Sequence, residues 1–219
     1  MRNSEFKAIE KRLAAHLPGF RLKGRLMFLV PVESVLRGFY FEPSGFAKDR
    51  FYLEAFFQPL FVPANEITFL FGRRLGDNKR WRSDEPDLES ALLSSMKAEV
   101  PKLLRLNNAE TIASALEVFA KMNAVGFVNP HCREAFAYAL VKAREIERAN
   151  QVLGILINSI DTTVTWQREI ESRAIRIREM LLKQPQDAIE QLAAWEAETA
   201  RTLGLEEFLD STVVVAGRS

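Results

Sequence analysis

Residues able to do chemistry are few and scattered along this chain. One cysteine and two histidines occur in 219 residues, and the cysteine adjoins one of the histidines as His131-Cys132. Asn129-Pro130 directly precedes them and reads as the N-cap and first position of a helix. Cys132 then occupies the third helical position, where the positive end of the helix dipole favours a thiolate and hence a nucleophile. Adjacent helical residues point about 100° apart, so His131 is badly aimed to act as its base. The competing role for a lone cysteine is that of a small buried apolar residue. His16 falls at a helix end, where a cation suits the dipole. A structural zinc site takes about four ligands, more than two histidines and one cysteine supply without carboxylates. No phosphate cradle of the Walker or GxGxxG type is present, and GRRLGD at 72–77 reads as a polar turn. Asp84, Glu85 and Asp87 form an acidic cluster. Pro86-Asp87 begins the pattern of a restriction-type nuclease, but no (D/E)xK on a following strand completes it. The expectation is therefore no catalytic residue, no metal and no cofactor.

Basic residues are better grouped. Arg21, Lys23 and Arg25 alternate on the lead-in to the first strand, and Arg73, Arg74, Lys79, Arg80 and Arg82 gather around Trp81 after the last. If the terminal strands are neighbours, Arg21, Lys23, Arg25, Arg73, Arg74, Arg80 and Arg82 form one positive rim. Such a rim with exposed aromatics is the footprint of nucleic-acid or anionic-ligand binding. A pI near 7.9 weighs against a strong footprint, and the alternative is a solvated rim paired with acidic residues. Residues 1–80 hold 14 Lys+Arg and 8 Asp+Glu, and residues 81–219 hold 16 and 21, so a net charge of +1 hides halves of +6 and −5. Halves of opposite sign can dock on each other or meet charged partners.

The elements that must position these groups change character along the chain. Phe6, Ile9, Leu13 and Leu17 recur at helical spacing, with Ser4 as a cap and Pro18-Gly19 as a stop. From Phe20 to about Arg74 the period is two. Leu26 to Val30, Phe39 to Phe41, Phe51 to Phe57 and Ile67 to Phe71 read as four strands, separated by turn chemistry at Pro31 to Ser34, Pro43-Ser44-Gly45 and Pro59 to Asn65. Connections this short suit antiparallel hairpins. Twelve of the sixteen Phe lie between Phe6 and Phe71, which places the densest apolar core here. Both faces of the strands are apolar, with Met27, Leu29, Phe56 and Leu70 set opposite Phe28, Leu53 and Phe69, so both need cover. The first helix can supply one side. The other is left to later helices or another chain.

After the polar stretch Gly76 to Asp87 the pattern is helical. Leu88, Leu92, Leu93 and Met96 form a stripe before Pro101, and Ile112, Leu116, Val118 and Phe119 another. The helix capped by Asn129 runs on to Ile157. Trp166 to Leu181 mark the next helix. Ile189 to Leu203 mark the last, with Pro185 at its start and Gly204 at its end. No repeat recurs at a fixed period. The fold class is α+β: an N-terminal helix and four-stranded antiparallel sheet over 1–80, a helical layer or bundle over 81–210 packed on or beside the sheet, and a loose tail over 211–219.

One cysteine excludes an intrachain disulfide and favours a reducing compartment. Met1 to Glu10 is charged, without the apolar core of a signal peptide. The longest apolar runs, 26–32 and 56–62, fall far short of the ~20 residues of a membrane span. A soluble cytoplasmic chain is expected. The opening helix, Gly19-Phe20-Arg21 leading into a strand, Leu36-Arg37-Gly38-Phe39-Tyr40-Phe41, and Phe51 to Leu60 together resemble an uncharacterised bacterial family, the domain of unknown function 4304. The resemblance covers about the first third of the chain and implies a helix-plus-sheet fold in a bacterial cytoplasm. It implies no activity and no catalytic residue. The leading functional expectation is a non-catalytic accessory or immunity-like factor that binds a protein partner or itself. Nucleic-acid or anion binding through the basic rim, and an enzyme of unrecognised type, are the alternatives.

Overall fold

The computed structural model describes residues 3–45, 47, 49–121 and 129–209, and the tail 211–219 lies outside them. Helix α1 (Asn3–Ala15) is followed by β1 (Phe20–Lys23), β2 (Leu26–Leu29), β3 (Val35–Pro43), β4 (Arg50–Pro59), β5 (Phe71–Arg74) and β6 (Trp81–Arg82). Helices α2 (Leu88–Arg105), α3 (Ala109–Lys121), α4 (Pro130–Lys142), α5 (Ile146–Ser159), α6 (Thr165–Lys183) and α7 (Pro185–Thr202) complete it, with a 3-10 turn at Glu206–Phe208. The class is α+β, with six antiparallel strands among the described residues rather than four. None of the helices is long and apolar enough to cross a membrane, among the described residues.

Two compact units share this order. One holds 3–58, 68–105 and 207–209, and the other holds 59–67 and 106–206. Gly76 to Asp87 is no boundary between the units: it contains β6, α2 beyond it joins the sheet, and the segment 59–67 joins the helices.

In the sheet unit the strands run in the order β1-β2-β3-β4-β5, with β6 also on β4. The pairs Phe20↔Leu29 and Met27↔Phe39 set the register at one end, and Ala55↔Arg73 and Phe57↔Phe71 at the other. Several expectations change at this level. The run Phe20–Leu29 holds two strands, because Gly24 (φ 61°) turns the chain between Lys23 and Leu26. Ile67 to Leu70 lie off the ladder, and β5 begins at Phe71. α1 already includes Asn3, so Ser4 is not its cap, and α2 continues through Pro101. Met27 and Leu29 share a face with Leu53 rather than opposing it, because phase between strands is fixed by register, which alternation within a strand leaves open.

One sheet face carries Phe20, Met27, Phe39, Phe41, Phe51 and Leu53, and packs under Leu13 of α1, Leu17 just beyond it, and Leu88, Leu92, Met96 and Leu103 of α2. The second face is divided. At one end Phe28, Leu36 and Phe56 are buried. The Phe208 ring meets Phe28 edge-on at 5.0 Å, while Phe69 stacks on Tyr40 at 4.2 Å and meets Phe56 edge-on at 5.1 Å. Phe69 therefore does its packing from outside the strand. The other end of this face is polar, with Glu42, Tyr52, Glu54 and Arg74.

Glu10 of α1 is 2 % exposed and its Oε1 has no hydrogen-bond partner among the described residues. Burial pushes its carboxyl from 4.5 up to about 7, against the opposing charges of Arg25 and Lys7. Below pH 4.5 folded and unfolded chains both hold the proton. Between 4.5 and about 7 only the folded chain does, so stability falls as pH rises, and above 7 the penalty is complete. Glu10→Met removes the titration. Relative to wild type, the variant is expected to gain about 2–3 kcal/mol on going from pH 4 to pH 8, read by urea denaturation at both. A difference between the two proteins that does not change with pH would refute the assignment.

In the helical unit α4 is the central element. Ten of its thirteen residues are buried, and α3, α5, α6 and α7 all pack against it. Asn129 caps it as expected, with its side-chain oxygen accepting from the His131 N–H at 3.0 Å and Pro130 at the first turn. It does not run on to Ile157. Arg144 adopts φ 61°, and the chain restarts as α5 at Ile146. Gly204 (φ 64°) closes α7.

Candidate functional site

The basic residues do not form one rim. β1 and β5 are at opposite ends of the strand order, so the condition that would bring them together is not met. Arg21 and Lys23 are exposed on β1, and Arg25 sits in the turn after it. Arg73 and Arg74 point to opposite faces of β5, as successive strand residues must. Arg73 reaches Glu99 of α2 (Nε to Oε1, 3.2 Å), which Lys102 also contacts at 3.0 Å. Burial would raise the Glu99 pKa, but the hydrogen bonds from Arg73 and Lys102 outweigh it and hold the carboxyl below the ordinary range. Arg74 donates twice to Glu42 (2.8 and 3.1 Å) and lies 3.9 Å over the Tyr52 ring. Arg80 donates to Tyr52 Oη at 3.0 Å, and Arg82 is bidentate to Asp84. Asp84 and Glu85 are thereby tied to Arg82 and Lys79, so two of the three acids of the linker cluster are held in ion pairs. Phosphate would have to displace these carboxylates one by one.

Glu54 completes the polar end of that sheet face. Its carboxyl lies over Gly72, where an added Cβ would fall 2.3 Å from Oε1. Burial, then the neighbouring Glu42, raises its pKa against the pull of Arg74.

Cys132 is 5 % exposed, and burial pushes its thiol up to about 11. The helix N-terminus does not acidify it, because desolvation of a thiolate dominates here. His131 turns away to stack on Trp166 at 4.9 Å, and burial lowers its pKa. His16 is exposed, one residue beyond α1. Among the described residues no group of three His, Cys, Asp or Glu is placed to hold a metal ion.

The strongest polar constellation lies in the helical unit. Glu134 of α4 is 0 % exposed and receives two hydrogen bonds from Arg173 of α6, Nε to Oε1 at 2.8 Å and Nη2 to Oε2 at 3.1 Å. Tyr138, one turn on, donates to Glu134 Oε1 at 3.1 Å. Burial pushes the Tyr138 hydroxyl well above its ordinary pKa, and the Glu134 charge adds to the effect. Arg173 is buried enough to lower its own pKa, yet the hydrogen bond and charge of Glu134 outweigh that and raise it. The Tyr138 ring lies 5.7 Å from Trp195 of α7. Lys142 pairs with Glu196 of α7 and sits 5.3 Å over the Phe61 ring.

Beside this network opens a cavity of about 270 Å³ lined by Pro63, Ala64, Asn65, Arg173, Arg176, Trp195, Glu198, Thr199 and Thr202. Four of these, Trp195, Glu198, Thr199 and Thr202, fall at i, i+3, i+4 and i+7 and share one face of α7. Trp195 and Thr199 are buried, while Arg176, Glu198 and Thr202 are exposed. Arg176 Nη2 donates to Gln191 Oε1 at 2.5 Å and ties α6 to α7.

None of these groups stood out in the sequence. Glu134 left one trace, a carboxylate at the head of the apolar run 135–141 with a tyrosine four residues on. Arg173 and Arg176 are indistinguishable there from Arg168 and Arg178.

No protein-family model, curated protein or solved structure matches this chain.

Proposed function

We propose that this chain is a non-catalytic interaction protein, an accessory factor of the immunity-like or defence-associated kind in a bacterial cytoplasm, whose partner docks on the helical unit. The observation that carries the proposal is on α6. Ile175 and Leu182 are 39 % and 65 % exposed, and seven residues apart they stand within about 20° of each other around the helix. Two large apolar side chains on one outward stripe of an otherwise charged helix suit a partner helix or sheet face. Val118 of α3 and Ile155 of α5 add exposed apolar surface to the same unit.

The chemistry of the polar groups agrees with this role. Glu10 and Glu54, the carboxyls whose pKa burial raises, belong to the sheet unit and neither lines the cavity. The Cys132 thiol is held neutral. These features weaken the third reading, an enzyme of unrecognised type.

The test is affinity purification of the tagged chain from native cells, with light scattering of the purified protein. Wild type should retain a stoichiometric partner or run as a defined oligomer. Ile175→Glu/Leu182→Glu should lose it at unchanged thermal midpoint. A wild-type monomer that retains nothing, or a double variant that keeps the partner, would count against the proposal.

Nucleic-acid or anionic-ligand binding ranks second. It is favoured by Arg21 and Lys23, both exposed on one face of the edge strand β1, and weakened by the ion pairs of Arg73, Arg74 and Arg82. Phosphate contacts are strongest at low salt, so no change in fluorescence polarisation of a labelled oligonucleotide there would end it.

A further inference from the structure

We propose that the cavity of the helical unit is a binding site for a free zwitterionic amino acid with an uncharged side chain. The ligand's ammonium pairs with Glu198, its carboxylate with Arg176, and its side chain lies against Trp195 and Pro63. This site goes beyond the interaction surface on α6 and does not depend on it.

Size sets the first limit. The cavity of about 270 Å³ lies below the roughly 300–1,000 Å³ of sites for drug-sized ligands. A small ligand of amino-acid size is within that space.

Charge sets the second limit. Three ionised side chains line the wall, but Arg173 is already neutralised by its bidentate pair with buried Glu134. The Glu198 side chain has no hydrogen bond or ion pair with another described residue. Arg176 donates one N–H to Gln191 and keeps its remaining donors, since a guanidinium carries five. The wall therefore offers one spare carboxylate and one spare guanidinium. A simple anion is drawn to Arg176 but repelled by Glu198, and a simple cation meets the reverse. Only a ligand carrying both charges uses both groups.

The remaining lining fits the rest of the molecule. Trp195 presents an aromatic wall and Pro63 and Ala64 an apolar one, while Asn65, Thr199 and Thr202 supply neutral hydrogen-bonding groups. The walls are also fixed before binding. Trp195 is held beside the Tyr138 ring, Arg173 by Glu134, and Arg176 by Gln191. Fixed walls avoid the ordering cost that otherwise weakens small ligands.

Isothermal titration calorimetry of the full chain with L-leucine, L-methionine and L-phenylalanine tests this. At least one should bind at a single saturable site. L-leucinamide and N-acetyl-L-leucine, each lacking one charge, should bind roughly tenfold or more weakly, the effect of losing one charge-assisted hydrogen bond. Glu198→Gln and Arg176→Gln should each weaken binding by a similar factor, and both residues are exposed, so folding is expected to survive. Thr202→Val, at the exposed rim, is a milder variant to be read the same way. Absence of binding by all three amino acids at millimolar concentration would overturn the assignment. So would blocked analogues that bind as well as the free amino acid, or charge variants that bind as wild type. Glu198→Gln should leave partner capture intact, so failure here is separable from failure of the interaction role.

Discussion

Replacing Glu134 by alanine is expected to destabilise the chain by about 3–5 kcal/mol, the cost of removing one partner from a buried ion pair. Glu134 is 0 % exposed, and its loss strips Arg173 of both hydrogen bonds and leaves the Tyr138 hydroxyl without its acceptor. The Arg173 side chain keeps 23 % exposure and can partly rehydrate, which places the effect toward the lower end. Urea denaturation reads it directly. Glu134→Leu combined with Arg173→Met and Tyr138→Phe should recover most of the loss, because the apolar trio carries neither a stranded charge nor an unpaired hydroxyl. A loss under about 1 kcal/mol for the alanine variant would mean that the pair behaves as a surface salt bridge and that α4 is not locked as described.

Gly38→Ala should be at least as damaging. Gly38 pairs with Phe28 across β2 and β3. A Cβ there would fall 2.1 Å from the Met27 carbonyl oxygen and 2.6 Å from the Phe28 Cα. Both are backbone atoms of the neighbouring strand, so no side-chain rotation relieves the clash, and β2 must leave β3. Phe28 would lose its buried place beneath Phe208. A loss above about 4 kcal/mol, in the exceptional range for one substitution, or failure to fold at all is expected. Gly24→Ala is the control. Nothing lies within 4 Å of its added Cβ, and its positive φ alone should cost about 1 kcal/mol. Equal effects at the two glycines would refute the close-approach account.

The sequence showed the architecture because local physics decides it. Alternating Phe, Leu and Val made strands, and Asn129-Pro130 and Gly204 marked helix ends whose backbone needs are specific to those residue types. What it hid depends on register and partner choice. Arg73 and Arg74 look alike in sequence, yet one meets α2 and the other the open face, because a strand reverses direction at every residue. Phe69 appeared to be a strand position and is instead a plug over Tyr40 and Phe56. Arg144 carries no turn signature in its residue type, yet it takes the left-handed C′ place usually held by glycine, with its own N–H bonded to Val141 O at 3.0 Å and the Glu145 N–H to Leu140 O at 2.9 Å. The cavity was invisible as well. Its walls come from 63–65, α6 and α7, segments up to about a hundred and forty residues apart in the sequence, and none of them carries a motif.

These features together describe a helical unit locked by buried polar bonds around α4, with apolar side chains turned outward on α6. Hydrogen–deuterium exchange of the chain, free and with its captured partner, tests that division of labour most directly. Slowed exchange across Thr165–Lys183 on binding is the predicted result. Protection confined to β1 and to residues 71–82, or no protection anywhere, would contradict it.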